Sequence, residues 1–309
     1  MRRSLALAAL VAAALAPAGC GVGAGAPPSS SSLTITAAFG THPVAQFDQP
    51  KTGGSDTVMR LLQRNAKVST RYGGGFVQSI AGLSGGRAGG RPVDWFYYVN
   101  GVEASEGAAA TRVHGGDRVW WDRHDWTATQ RVQAVVGSFP EPFLHGIDGK
   151  RLPVRIECAD AGSTVCNTVQ KSLTETGVLA GIASLRQAVT TETLRVLVGP
   201  WAALREDPAV AALERGPAAS GVYARPSADA RRIALLDPEG QVRRTLGAGA
   251  GLVAATRLGD DQPVWMVTGT DPAGVEQAAK AFDEGTLHDK FAVAVVNDLP
   301  IALPEAPAQ

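Results

Sequence analysis

The chain has 309 residues, room for about two domains of ordinary size, and 45% of them are apolar, enough to build real cores. Lysine plus arginine equals aspartate plus glutamate at 29 each, so the formal net charge is zero, which argues against nucleic-acid binding. With 36 glycines and 19 prolines the composition suits strands joined by turns.

Arg2 and Arg3 precede an apolar run from Leu5 to Ala16 that is too short to span a bilayer comfortably. The run leads into Pro17-Ala18-Gly19-Cys20. This resembles a bacterial lipoprotein signal, in which small residues precede a cysteine that is lipidated. Pro17 departs from the aliphatic residue that the pattern prefers. The resemblance implies a signal peptide over 1–20, lipidation at Cys20, and an extracytoplasmic protein anchored to the bacterial cell membrane. A plain secretory signal with a chance cysteine is the alternative. Residues 21–32 (GVGAGAPPSSSS) have nothing to bury and read as a disordered tether. With Cys20 lipidated, Cys158 and Cys166 remain, and an even pair outside the cytosol favours a disulfide. Asp160, Gly162 and Ser163 supply the turn between them.

From Leu33, LTITAAF starts with strand-like alternation. Val58, Leu61, Leu62 and Ala66 recur at helical spacing, with Ser55 or Asp56 as cap and an end near Lys67. Gly73 to Gly75 cannot be regular strand interior and imply a turn or bulge, after which Phe76, Val77 and Ile80 resume a strand. In DWFYYVNG (94–101), Asn100-Gly101 predicts a tight hairpin pairing Trp95–Val99 with Val102–Ala104. Alternation then puts Trp95, Tyr97 and Val99 on one face, and Phe96, Tyr98 and Asn100 on the other. VHGGDRVWWDRHDW (113–126) is a turn and a last aromatic strand, with Trp120 and Trp121 on opposite faces. Strand, helix, strands, hairpin and final strand fit a small mixed sheet crossed by one helix, a β-grasp (ubiquitin-like) fold. The helix can cover one face only.

Three blocks in this region carry a resemblance: Tyr72, Gly73, Phe76, Val77, Ile80 and Gly82; then Trp95, Tyr97, Tyr98, Val99, Asn100, Gly101 and Gly107; then Gly116, Asp117, Val119 and Trp121. In that order they resemble the bacterial transcobalamin C-terminal-like domain, over about residues 33–126. In the animal cobalamin carriers this β-domain closes over the bound cobalamin while a helical barrel supplies the other half of the site. The resemblance therefore implies a small organic ligand, of a cobalamin-like kind at the most specific, with no other cofactor.

The rest alternates strands and helices. LPVRIECA (152–159), LRVLVGP (194–200) and FAVAVVND (291–298) read as strands, and residues 163–177 as a helix capped by Ser163 and stopped by Gly177. Residues 207–216 repeat the device with Asp207, Pro208 and Gly216. Residues 230–241 hold a strand and a turn, TLGAGAGL (245–252) reads as a flexible hairpin tip, and residues 263–282 run strand, turn, helix. The expected fold class is α+β: a β-grasp domain over 33–128, an α/β domain over 131–303 and a disordered tail over 304–309.

No catalytic constellation is identifiable: there is no G-x-S-x-G elbow, and an enzyme would need His145 or His288 clustered with acids in a deep pocket. Asp122 and His124 share a strand face and could meet at a metal, though the polar end of a strand is the plainer reading, and no metal site is assigned. VTGTDPAGV (267–275) opens a helix where α/β sheets bind anions, though Thr-Asp-Pro is also an ordinary cap. The candidate ligand surface is Tyr72, Phe76, Trp95, Tyr97, Tyr98, Asn100 and Trp121, since tyrosine and tryptophan bring area with a polar tip. The competing reading packs the second aromatic face against the following domain. Expected partners are the membrane through the lipid, and either a small molecule or a surface or transport protein.

Overall fold

In a computed structural model of the chain, the described residues are 31–51, 56–188 and 190–306. Cys20, the signal peptide, the tether up to residue 30, the Ser55 cap and the last three residues lie outside them. The protein is mixed α+β, with strands predominating. No helix among the described residues is long and apolar enough to cross a membrane.

The first elements are β1 (Ser32–Ala37), β2 (His42–Phe47), α1 (Val58–Asn65), β3 (Val68–Arg71), β4 (Phe76–Ile80), β5 (Leu83–Ser84), β6 (Gly86–Ala88), β7 (Arg91–Val99), β8 (Val102–Glu103) and β9 (Arg118–Asp125). They make a sheet of order β2-β1-β9-β7-β6, with β8 paired to β7, and a small separate sheet β3-β4-β5. β1 and β9 run parallel, and β9 and β7 antiparallel, with Tyr97 opposite Trp121 and Tyr98 opposite Trp120. Asn100 (φ 53°) and Gly101 (φ 76°) make the reversal between β7 and β8 that their sequence demands. β2 has no strong alternation and is an unforeseen edge strand.

In α1, Val58, Leu61 and Leu62 are fully buried, as their spacing predicts. The cap is a correction: Thr57 accepts from Arg60 N at 3.3 Å, while Asp56 pairs with the Arg64 side chain. The helix closes the face made by Leu33, Ile35, Trp95, Val119 and Trp121.

The remaining elements are β10 (Val154–Cys158), α2 (Thr164–Glu175), β11 (Ala180–Ser184), β12 (Leu194–Pro200), α3 (Trp201–Leu204), α4 (Pro208–Ala211), α5 (Pro217–Ser220), β13 (Ala224–Pro226), β14 (Ile233–Leu236), β15 (Val242–Leu246), β16 (Gly251–Thr256), β17 (Val264–Gly269), α6 (Pro272–Lys280), α7 (Glu284–Leu287), β18 (Ala292–Val296) and β19 (Leu299–Leu303). A seven-stranded sheet has the order β11-β10-β12-β17-β16-β18-β19, parallel from β11 to β17 and antiparallel after it. β13, β14 and β15 form a third sheet. The 245–252 segment is therefore a turn between two sheets and not a hairpin tip, because β15 pairs with β14 while β16 pairs with β17. The 207–216 helix breaks into α4 and a short 3-10 segment over Ala212–Arg215, ended by Gly216 at φ 84°. Glu305 is held by Leu236 O (2.8 Å) and Arg244, so order runs past β19.

Alternation splits the seven-stranded sheet between two cores. Val196, Val198, Val253 and Trp265 pack with α2 and α6; Leu197, Leu252, Ala254 and Met266 face the other way. That second core is shared with Phe39, Tyr98 and Trp120 of the first sheet, so the two sheets close on each other. Burying each such large side chain contributes about 1.5–3 kcal/mol. Cys158, at the end of β10, is bonded to Cys166 in the first turn of α2, stapling that helix to its strand.

Candidate functional site

The seven residues proposed as one ligand surface fall in three places. Trp95 (6% exposed) and Trp121 (2%) lie under α1, and Trp95 Nε1 donates to Leu83 O at 3.1 Å. Tyr97 is partly buried beside them; its hydroxyl donates to Glu106 O (2.5 Å) and sits 2.8 Å from Thr111 Oγ1, and burial raises its pKa. Tyr98 is on the opposite face at 0% exposure, with its hydroxyl held well above the ordinary tyrosine range by burial. Asn100 is spent on structure: Nδ2 donates to Asp117 Oδ1 and Gly146 O, both 2.8 Å, and Oδ1 accepts from Arg118 N at 2.9 Å. A ligand cannot reach these buried groups without displacing a core. The reason is visible around Phe291, whose ring meets Phe39 (5.1 Å), Trp120 (5.2 Å), His124 (5.3 Å) and Tyr98 (5.7 Å). The second aromatic face is packed against the C-terminal half.

Tyr72 and Phe76 alone of the seven are exposed, at 85% and 38%, their rings 6.2 Å apart edge to face. The three glycines between them explain the geometry. Gly73 (φ 70°) and Gly74 (φ 97°) take conformations that side chains resist, carrying the chain through one 3-10 turn between β3 and β4. Leu83, 40% exposed, lies in the same three-stranded sheet.

The Asp122–His124 pair is buried at the junction of the two sheets. Asp122 accepts from Thr36 Oγ1 (2.5 Å), Phe39 N (3.1 Å) and Gly40 N (2.9 Å), with His124 Nδ1 2.9 Å away. The imidazole is sandwiched between Phe39 (4.6 Å) and Phe96 (4.3 Å). These groups orient loop and strand. Among the described residues, no cluster of three or more His, Cys, Asp or Glu is arranged to hold a metal. The start of α6 is likewise occupied: Asp271 accepts from Gly274 N (2.9 Å) and Gly249 N (2.7 Å), placing the chain's own carboxylate where an anion would bind.

Sequence reasoning left His145 and His288 without partners, yet both line one cleft of about 330 Å³ between the sheets. His145 Nδ1 lies 2.5 Å from Glu141 Oε1, and His288 Nδ1 lies 3.2 Å from Asp289 Oδ2. Burial raises the Glu141 carboxyl, opposed by His145, and the hydrogen bond that His288 donates to Asp289 raises His288. The i,i+4 spacing of Glu141 and His145 was the available signal. Arg118 crosses the same seam, donating to Phe139 O (2.7 Å) and Glu284 Oε1 (2.6 Å). Among the described residues no serine, threonine or cysteine hydroxyl or thiol bonds to either ring.

Residues 55–125 match a family model, DUF4430, described as a domain of unknown function. The DUF4430 match is well under half of the chain and spans the Tyr72–Phe76 turn and the aromatic strands β7 and β9. No curated protein matches. Among solved structures, the chain is similar to a protein from Ruminococcus gnavus ATCC 29149 described as a candidate metal binding protein. The identity is 14%, over 31% of this chain and 97% of that one, and the TM-score of 0.25 is too low to carry a functional argument.

Proposed function

We propose that the chain is an extracytoplasmic, lipid-anchored binding protein that docks on a partner through the tip Tyr72–Phe76. In this reading Cys20 carries the lipid and the segment after it is a tether that ends before Ser31, since Ser31 is buried and Ser32 opens β1; residues 31–128 are a transcobalamin-like β-grasp unit and residues 131–303 are an α/β platform that rigidifies it. The supporting observation is selective exposure: Tyr72, Phe76 and Leu83 are exposed, while Trp95, Tyr98, Trp120 and Trp121 in the same region are buried. Large hydrophobics grouped in the open mark contact surfaces, and aromatic anchors supply much of the energy of interfaces. The exposed tip suits a groove on a surface or transport protein. A small organic ligand such as a corrinoid would need a second wall, which such a partner would provide.

The test is site-specific photocrosslinking in cells from position 72, compared with position 87 in β6 as a control. One discrete partner captured from position 72 alone, and lost in the Tyr72→Ser/Phe76→Ser variant, supports docking. Capture that is equal at both positions, or unchanged by the double substitution, sinks it. Titrating residues 31–309 with cobalamin, with and without the captured partner, separates a direct ligand from one held jointly.

A further inference from the structure

A cleft of about 660 Å³, within the range of ligand sites, is an open groove lined by Pro92, Trp126, Thr127, Gln130, Gln133 and Ala218, among others. None of Tyr72, Phe76 and Leu83 is among its lining residues. The chain has six tryptophans, and five of them, Trp95, Trp120, Trp121, Trp201 and Trp265, are at most 6% exposed. Trp126 is the sixth, half-buried, on the wall of this groove. Its position is fixed at two points: its backbone N donates to Pro92 O (3.2 Å) and its indole Nε1 to Asp94 Oδ2 (3.2 Å). An indole whose N–H is already committed has its ring face left to offer.

The loop beside it is rigid. Thr127 N and Oγ1 both donate to Asp125 Oδ1 (2.8 and 2.6 Å), and Thr129 Oγ1 donates to Arg131 O (2.9 Å). Arg131, the charged residue of the lining, is paired with Glu103 at 3.3 Å, so the groove carries little net field. The side-chain amides of Gln130 and Gln133 make no hydrogen bond among the described residues. An anchored aromatic ring and free planar amides in one groove, with small Ala218 also in the lining, is the chemistry that recognises a sugar: the ring stacks on the apolar C–H face while amides bridge neighbouring hydroxyls. Nucleic acid would need a basic groove, and a proline-rich peptide would need an aromatic-lined one with several rings.

We propose that this groove binds a neutral saccharide chain, with Trp126 as stacking platform and Gln130 and Gln133 as hydroxyl-reading amides. All six indoles emit, but the other five are buried, so acrylamide quenching of residues 31–309, which contain every described element, singles out Trp126. The probes are cellohexaose, chitohexaose and maltohexaose, with decaproline as the competing chemistry. The expected result is a saturable fluorescence change with at least one sugar, and protection of the half-buried Trp126 indole from acrylamide quenching. Calorimetry should show binding weakened by more than about tenfold in Trp126→Ala, and by about fivefold in Gln130→Ala or Gln133→Ala. Trp126→Phe keeps a ring and should retain most of the affinity, which separates stacking from a folding defect. Gln130 is exposed, so its variant tests the site with no core change. Failure of all three sugars, equal binding by Trp126→Ala, or binding of decaproline in place of sugar would each overturn the proposal.

Discussion

The N-terminal sheet has two aromatic faces, and they are buried by different means. One is closed from within the same stretch of chain: Trp95 and Trp121 sit under α1, whose Val58, Leu61 and Leu62 are local in sequence. The other, bearing Tyr98 and Trp120, is closed by Phe291, far away along the chain, and by the core that the seven-stranded sheet supplies. Both faces are dry, yet only the first is self-sufficient. An aromatic strand pair that looks like a ligand surface in isolation is here the middle layer of a larger stack.

The largest effect should come from cutting the stack. Residues 31–126 expressed alone would expose Phe39, Phe96, Tyr98 and Trp120, so that fragment should bind ANS and lack a cooperative melt, while residues 31–309 melt in one transition. A well-dispersed amide spectrum from the fragment would break the comparison. Next, Phe291→Ala and Trp121→Ala should each cost about 3–5 kcal/mol in denaturant unfolding. They should differ in place: hydrogen exchange should loosen both sheets for Phe291→Ala, but mainly α1 and its sheet for Trp121→Ala. Reducing Cys158–Cys166, which are eight residues apart, should cost about 2–3 kcal/mol and raise exchange in β10 and α2 without touching the N-terminal sheet.

The smallest effect concerns pH at the seam. Asp289 holds the His288 pKa above the ordinary 6.5, with burial and Arg118 opposing and Glu284 assisting. A raised histidine favours the protonated folded state. Its contribution is complete below pH 6.5 and fades as pH rises through the folded value. His288→Gln should flatten the decline in stability above pH 6.5, and an unchanged slope would assign the pH dependence to other groups.

Legibility in the sequence tracks the range of the interactions involved. The Asn100-Gly101 reversal, the Ser163 cap and the Cys158–Cys166 pair depend on neighbours within a few residues and are readable from them. α1 is readable for the same reason, although its cap moved to Thr57. β2, β11 and β19 owe their existence to pairing with distant strands and give little local pattern. The candidate site was least legible. Tyr72 and Phe76 look no different in sequence from Tyr98, and the places of α1 and Phe291 decide which rings are swallowed. His145 with Glu141, and Trp126 beside two free amides, likewise acquire meaning only once loops are brought together.

The buried hairpin reversal also bears on how the protein ages. Asn-Gly is the dipeptide most prone to deamidation, because the glycine nitrogen can attack the asparagine side chain. Asn100 is 1% exposed and all its amide atoms are engaged, and a Cβ at Gly101 would meet Val135 O at 2.8 Å, so the reversal has little freedom to cyclise. Should that grip fail in a partly unfolded molecule, the resulting carboxylate would face Asp117, whose own carboxyl burial already raises. A molecule that has once opened would then carry a permanent chemical mark against closing again.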